Sequence, residues 1–542
     1  MAETQTTGVP QPSGGGIRPE GIADSTAPPD YSRVTLSGVR QRARAEVLAA
    51  FFEPMAEDWE LYRERNAYFH GTQRALFRTY VPSGLAVLEL GCATGDLLAT
   101  LQPGRGVGVD LARRMVEKAC HKYPNLEFVE ADATFFDTPE RFDCIVVNNL
   151  LEYIDDIQGL LLNCNRLLKP RGRLLISTLN PLWSPLLRIG ERRRLCTPDT
   201  RRNFVTGQDA VNLLGLNGFE VVKLTRRTLL PKKIPVVTSL VNLVAAQTPL
   251  VRRLCMTEFL VARPAARAAR DYSVSVVVPC YNEAGNIEEC VRRVPAMGTH
   301  TEVLVVDDGS MDGTAAMVKP ELNPAVQVRC LAYQPNRGKL NAVRTGFDAA
   351  RGEILVILDA DMTVPPEDLP HFYRPLREGL ADFINGTRLI YPMATGSMKL
   401  QNFIGNKLFG VLVSWLAGIR LSDTLCGTKA FFREDYRHFQ MGHDPWGDFD
   451  FLFGAAQRTC KILEVPIHYQ ERRAGQSKMK ALRHTWALLK ACWAGFWRVK
   501  YPCSSAGDIS NQQVRSSAAG RAEPARSGVP SNPDPSHSDS SA

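Results

Sequence analysis

At 542 residues the chain is too long for one ordinary core, and at roughly 150 residues per domain it has room for two to four units. A hydrophobic content of 44% and a charged content of 23% are those of a soluble globular protein. The net charge of +8 permits an acidic partner, such as a phosphorylated ligand or an anionic membrane face, and no basic cluster carries the interleaved aromatics of a single-strand binder, so no nucleic acid partner is expected.

Residues 1–35 are rich in Gly, Pro, Ser and Thr and read as a disordered tail, as do the Ser, Pro and Ala-rich residues 503–542. The start, MAETQTTGVPQPSGGG, has neither the basic opening nor the apolar core of a secretory signal. Thirteen cysteines with no C-x-x-C pair disfavour a zinc ribbon or a thioredoxin-type site and point to reduced thiols in a cytoplasmic setting. The stretch 404–419 is interrupted by Asn406 and Lys407 and falls short of the ~20 residues of a membrane span.

Strand-like and helical segments alternate first over about 84–230: AVLEL, GVGVD, LEFVEAD, FDCIVVNN and RGRLLIST predict the strands of a parallel α/β sheet. In AVLELGCATGDLLATL (86–101), Gly91 and Gly95 suit a turn that passes close to a ligand, and a helix start follows. The next strand ends in Asp110, placed to take two ribose hydroxyls, while Glu89 can reach a cationic ligand amine. A dinucleotide fold shares this outline, but the turn here is E-x-G-x-x-x-G rather than G-x-G-x-x-G.

Together with EADA (130–133), FDCIVVNNLLEYIDD (142–156) and LLKPRGRLLIST (167–178), these residues resemble class I S-adenosylmethionine-dependent methyltransferases. The resemblance implies a Rossmann-like domain over 36–262 that binds S-adenosyl-L-methionine (SAM). Glu89, Gly91 and Gly95 would frame the methionine part, Asp110 the ribose and Asp132 the adenine edge. Ala93 departs from the pattern where many members carry glycine. His70 and His121 read as surface or packing residues rather than bases, so the unit is either a methyltransferase or a binding module that positions its neighbour.

RPAARAAR (263–270) reads as the start of a linker, set at 263–271. A second alternation then opens with SVSVVVPCYN and runs through EVLVVDDGS, VQVRCLAY and EILVILDAD, with acidic ends at Asp307, Asp308, Asp359 and Asp361. Carboxylates alone would repel a phosphate-bearing ligand; Mg²⁺ or Mn²⁺ takes oxygen ligands and reverses that sign, so Asp359 and Asp361 read as a metal site. With PCYNE, DDGS, NRGK, DAD and RRAGQSK in order, residues 272–502 resemble family-2 glycosyltransferases of the GT-A type, nearest the dolichyl- and polyprenyl-phosphate sugar synthases.

That resemblance implies that Pro279, Tyr281, Glu283 and Asp308 hold the nucleoside of a GDP- or UDP-sugar, and that Asp359 and Asp361 hold the metal and its diphosphate. Thr363 stands where those synthases commonly carry glutamine, leaving a third metal ligand unassigned. Transfer would invert the anomeric centre in one displacement. A hydroxyl acceptor needs a base, for which Asp448 and Asp450 are candidates; a phosphate acceptor needs cations, for which Arg388, Arg472 and Lys478 are candidates. The stretch 484–502, with three tryptophans, Lys490, Arg498 and Lys500, has the pattern of an interfacial helix. The expectation is a bifunctional enzyme, peripheral at a cytoplasmic membrane face, with a lipid-linked or other glycan acceptor; a soluble hydroxyl acceptor is the alternative.

Overall fold

Near-continuous runs of Val, Ile and Leu form two seven-stranded sheets, each covered by helices on both faces. The computed structural model describes residues 35–197, 203–248, 250–265, 268–390, 400–470 and 481–500. The expected tails, apart from Thr35, and the RRAGQSK segment with Arg472 and Lys478 lie outside these residues.

The first sheet comprises β1 (Ala86–Leu90), β2 (Arg105–Asp110), β3 (Glu127–Glu130), β4 (Phe142–Asn148), β5 (Leu168–Leu179), β6 (Phe219–Arg227) and β7 (Thr257–Pro264). Its order is β3-β2-β1-β4-β5-β7-β6, with β7 antiparallel to both neighbours. Alternate residues of β1 feed opposite cores: Leu88 and Leu90 on one face, Val87 on the other. Two helices, Thr35–Arg65 and Ala67–Tyr80, precede the sheet.

The second sheet comprises β8 (Val274–Cys280), β9 (Thr301–Asp307), β10 (Gln327–Ala332), β11 (Ile354–Ile357), β12 (Phe383–Thr387), β13 (Lys429–Phe432) and β14 (Ile462–Pro466), in the order β10-β9-β8-β11-β13-β12-β14. Strands β8 to β11 are parallel, and β13 runs antiparallel to β11 and β12. Val276 and Val278 enter one core and Val277 the other, while Phe383 on β12 stacks on Phe431 of β13 at 5.0 Å. Two doubly wound α/β units result, as the sequence predicts.

A buried polar seam joins them. The Asp382 carboxylate, with no exposed surface, accepts from Arg173 of β5 at 2.8 Å and from the Lys461 backbone N–H at 2.9 Å. Arg263 of β7 lies 3.6 Å from its other oxygen, is itself buried, and also donates to the carbonyls of Gly379 and Leu380. Arg171 lies over the ring of Phe432, 3.6 Å from its centroid, and pairs with Glu434 and Asp435. Strand β7 therefore carries a structural arginine within the stretch that reads as linker in the sequence.

Candidate active sites of the two units

The strand order of the first sheet reverses between β1 and β4, the position where open α/β sheets bind ligands. A cavity of about 470 Å³ lies there, lined by Glu89, Gly91, Asp110 and Asp132. Gly91 adopts φ 75°, and an added Cβ would meet the Leu150 side chain at 2.9 Å. Ala93 takes the left-handed region at φ 46°, which its methyl group tolerates, and its N–H donates to Asp110 Oδ2 at 2.8 Å. Gly95, at φ 77°, caps the following helix with the Phe128 ring against its Cα; it is not part of the cavity wall.

Asp110 also accepts from the Ala112 N–H at 3.0 Å, and burial outweighs these bonds to raise its carboxyl above the ordinary range. Glu89 accepts from the Leu98 N–H at 2.9 Å, and burial holds its carboxyl well above that range. A buried carboxyl of this kind becomes fully ionised when a cationic amine arrives beside it. Asp132 is oriented by the Thr134 N–H at 2.8 Å.

The opposite wall comes from the two N-terminal helices, which supply Trp59, Tyr62, Arg63, His70 and Arg74. Asp96 pairs with Arg63 and, at 2.8 Å, with Lys122. Unlike exposed His121, His70 faces the cavity, and its imidazole is driven down to about 3, first by burial and then by Arg63 and Arg74. Such a ring accepts a hydrogen bond but holds a proton poorly. The unfolded chain binds the extra proton between 6.5 and about 3, so the stability contributed by the neutral ring is lost as pH falls through that window. Between about pH 7 and about pH 5 the parent should lose up to about 2 kcal/mol more than His70→Gln. Urea midpoints at the two pH values check this, and equal losses would contradict a neutral imidazole.

In the second sheet, β9 and β11 flank β8 and the order reverses between β8 and β11, so the acidic ends of β9 and β11 meet on one edge. Asp308 accepts from the backbone N–H groups of Arg337 at 2.7 Å and Gly338 at 2.8 Å, fixing the basic turn before the helix Lys339–Ala349. Pro279 lies on β8; Tyr281 and Glu283 follow it, and Glu283 accepts from Asn286 at 2.7 Å. Asp359 and Asp361 follow β11; Asp361 accepts from Thr363 Oγ1 at 2.7 Å, so the threonine already serves the pair.

Lys339 Nζ sits 2.6 Å from Asp359. Burial would lower its ammonium, but Asp359 and Asp448 overcome that and hold it above the ordinary lysine range. Asp448 in turn binds Lys429 Nζ at 2.6 Å, and Lys429 is fully buried. Asp450 accepts from the backbone N–H groups of Gly442, His443 and Asp444 and from Arg498 at 3.2 Å. Nearby Asp444 is pushed up to about 6 by burial and by Asp448. Arg388, after β12, spends its guanidinium on Asp423 at 2.7 and 2.9 Å and lies over Tyr469. Nothing in residue type marks Lys339, Lys429 or Asp444 as site residues in the sequence; Lys339 ends NRGK, and Lys429 opens β13.

Residues 59–224 match the model of a methyltransferase domain, and residues 275–440 that of glycosyl transferase family 2. The first α/β unit thus carries the match to a methyltransferase domain and the second the match to glycosyl transferase family 2. Its curated relatives include the undecaprenyl-phosphate 4-deoxy-4-formamido-L-arabinose transferase of Enterobacter sp., 30% identical over 39% of this chain and 64% of that one. The transferase of the same name from Shewanella sediminis is 30% identical over 38% of this chain and 61% of its own length. The chain thus spans just under two thirds of these relatives. Among solved structures, the magnesium protoporphyrin IX methyltransferase of Synechocystis with bound S-adenosylhomocysteine matches at 15% identity, over 41% of this chain and 99% of that one, with a TM-score of 0.31.

Proposed function

We propose a bifunctional enzyme. Residues 272–502 transfer a sugar, with inversion, from a nucleotide sugar to polyprenyl phosphate or another lipid-linked acceptor. Residues 36–262 transfer a methyl group from SAM within the same glycan pathway. The observation that carries the reading is that Asp308, Asp359 and Asp361 lie on one edge of the second sheet, where its strand order reverses.

Asp359 and Asp361 fit a hard cation. Gly427 leaves the Asp359 carboxylate room that a Cβ would fill, and among the described residues no group of three or more His, Cys, Asp or Glu side chains is arranged to hold a metal ion. Two carboxylates suit an ion that completes its shell with diphosphate oxygens and water. When bound, Mg²⁺ or Mn²⁺ supplies positive charge to the departing nucleoside diphosphate.

The chain's own groups do the rest. Pro279, Tyr281, Glu283 and Asp308 seat the nucleoside, and Lys339 keeps the acidic pair compatible with an anionic donor. The engagement of Asp448 with Lys429, and of Asp450 with three backbone N–H groups and Arg498, favours a phosphate acceptor over a hydroxyl. Such an acceptor is already an anion and needs no base. Arg388 then positions the β12 end through Asp423, leaving Arg472 and Lys478 as the cations proposed to meet the acceptor phosphate. In the first unit, Glu89 and Asp110 would hold the amine and ribose of SAM, which would supply the methyl group of its sulfonium.

The test incubates the full chain with undecaprenyl phosphate, Mg²⁺ and labelled nucleotide sugars. Label entering the lipid extract, and lost with chelator, is expected. Label entering only soluble saccharides would favour the hydroxyl acceptor and overturn this reading.

A further inference from the structure

The nine-residue helix Ser184–Arg192 buries none of its residues, although it carries Leu186 at 58% and Ile189 at 48% exposure. Apolar groups left in water gain nothing, so the outward face of this helix, at Leu186 and Ile189, is one that the described residues leave uncovered. Arg188 and Arg192 stand on the same exposed helix. Leu186 and Leu195 are exposed and also line the cavity that holds Glu89 and Asp110, so they form part of its mouth.

A second element adjoins them. Trp183, just before that helix, donates from its indole to the carbonyl of Leu254 at 2.8 Å, tying it to the turn Val251–Leu254. The helix Val237–Gln247 precedes this turn and is anchored by polar bonds: Asn242 accepts from the N–H groups of Leu229 and Leu230, and Thr238 donates to Lys232. Its Leu240, at 59% exposure, and Val244, at 54%, face outward, as do Leu250 and Leu254.

The surface continues into the second unit through a basic junction. A Cβ at Gly418 would lie 4.0 Å from Lys223 Cε, and Lys500 Nζ lies 5.3 Å from the centroid of the Trp415 ring. Lys500 is pushed down to about 8 by burial and then by Lys223, Arg227 and Arg252, all cations. Trp415 stacks on Phe496, which stacks on Trp493, and exposed Trp486, Trp493 and Trp497 extend the apolar face. Clustered cations beside exposed tryptophan and leucine match the charge and polarity of an anionic bilayer surface. The buried seam at Asp382 holds both units in one orientation toward it.

We propose that the methyltransferase unit docks on an anionic bilayer through Ser184–Arg192, Val237–Gln247 and Val251–Leu254, and that its methyl acceptor is a lipid-carried molecule entering at Leu186 and Leu195. The acceptor class rests on the proposed methyl transfer; the docking does not, and its test uses neither sugar donor nor acceptor. The full chain is floated with phosphatidylglycerol vesicles and with phosphatidylcholine vesicles. The parent should bind the former, and Ile189→Glu/Leu240→Glu should bind them at least ~5-fold more weakly. Leu250→Glu, as a single change, should move the same way. Affinity for S-adenosylhomocysteine should stay within about twofold in both, showing that the unit is folded. Methyl label from SAM should enter the lipid extract with the parent and fall with the variants. A parent that ignores phosphatidylglycerol overturns the proposal. So does unchanged binding by the variants while Trp486→Glu/Trp493→Glu abolishes it, since the second unit alone would then dock. Vesicle docking together with methyl label found only on soluble molecules overturns the acceptor class.

Discussion

Changing Asp359 and Asp361 together to asparagine should lower sugar transfer by about a thousandfold or more while S-adenosylhomocysteine affinity stays unchanged. Both carboxylates stand at the end of β11, on the sheet edge that also carries Asp308, and within the field of Lys339. Without them the proposed cation would have no anchor, and a donor diphosphate would lose its bridge to the sheet edge. Size is conserved, so the change removes charge rather than shape. Transfer rates and cofactor titrations on the same protein sample separate this effect from unfolding. A variant that keeps more than about a tenth of parental transfer would contradict the role given to the pair.

Asp382→Ala should destabilise the chain by about 3–5 kcal/mol, because it leaves two buried guanidiniums without their shared carboxylate. Arg173 and Arg263 are both buried, and neither can rotate to water without opening the seam between the sheets. Glu434→Ala makes the contrast: its side chain is largely exposed, Arg171 keeps Asp435, and the loss should stay below about 1 kcal/mol. Urea unfolding of the two variants checks the pair of values. Equal, small losses would mean that the seam does not hold the units together.

Local chemistry made the two ligand edges readable in the sequence. A glycine turn after β1, with Glu89 on the strand and Asp110 ending the next, is dictated within about twenty-five residues, and so is each acidic strand end of the second unit. Ala93 shows the limit of a residue-type rule, since the backbone takes the left-handed region there without glycine. The rest depends on contacts distant in sequence. The wall bearing Arg63, His70 and Arg74 comes from helices upstream of the first recognisable strand, where nothing local marks a ligand. Asp382 meets Arg173 across 209 positions, and neither residue sits in a pattern that foretells the other. Short strands such as β13, with four residues, gain their identity from antiparallel neighbours rather than from periodicity. Arg388 and Asp450 illustrate a related point: residue type and motif position bring them near the site, and only the structure reveals that Asp423 and three backbone N–H groups already occupy them.

Calorimetric titration of the full chain with UDP and with GDP, in Mn²⁺ and then in excess chelator, reaches the central claim without any acceptor. One of the two nucleotides should bind in Mn²⁺ and lose at least ~10-fold in affinity when the ion is removed, with Asp359→Asn/Asp361→Asn already weak in both buffers. Binding that is equally tight in parent and variant, with and without the ion, would contradict a donor held through that acidic edge.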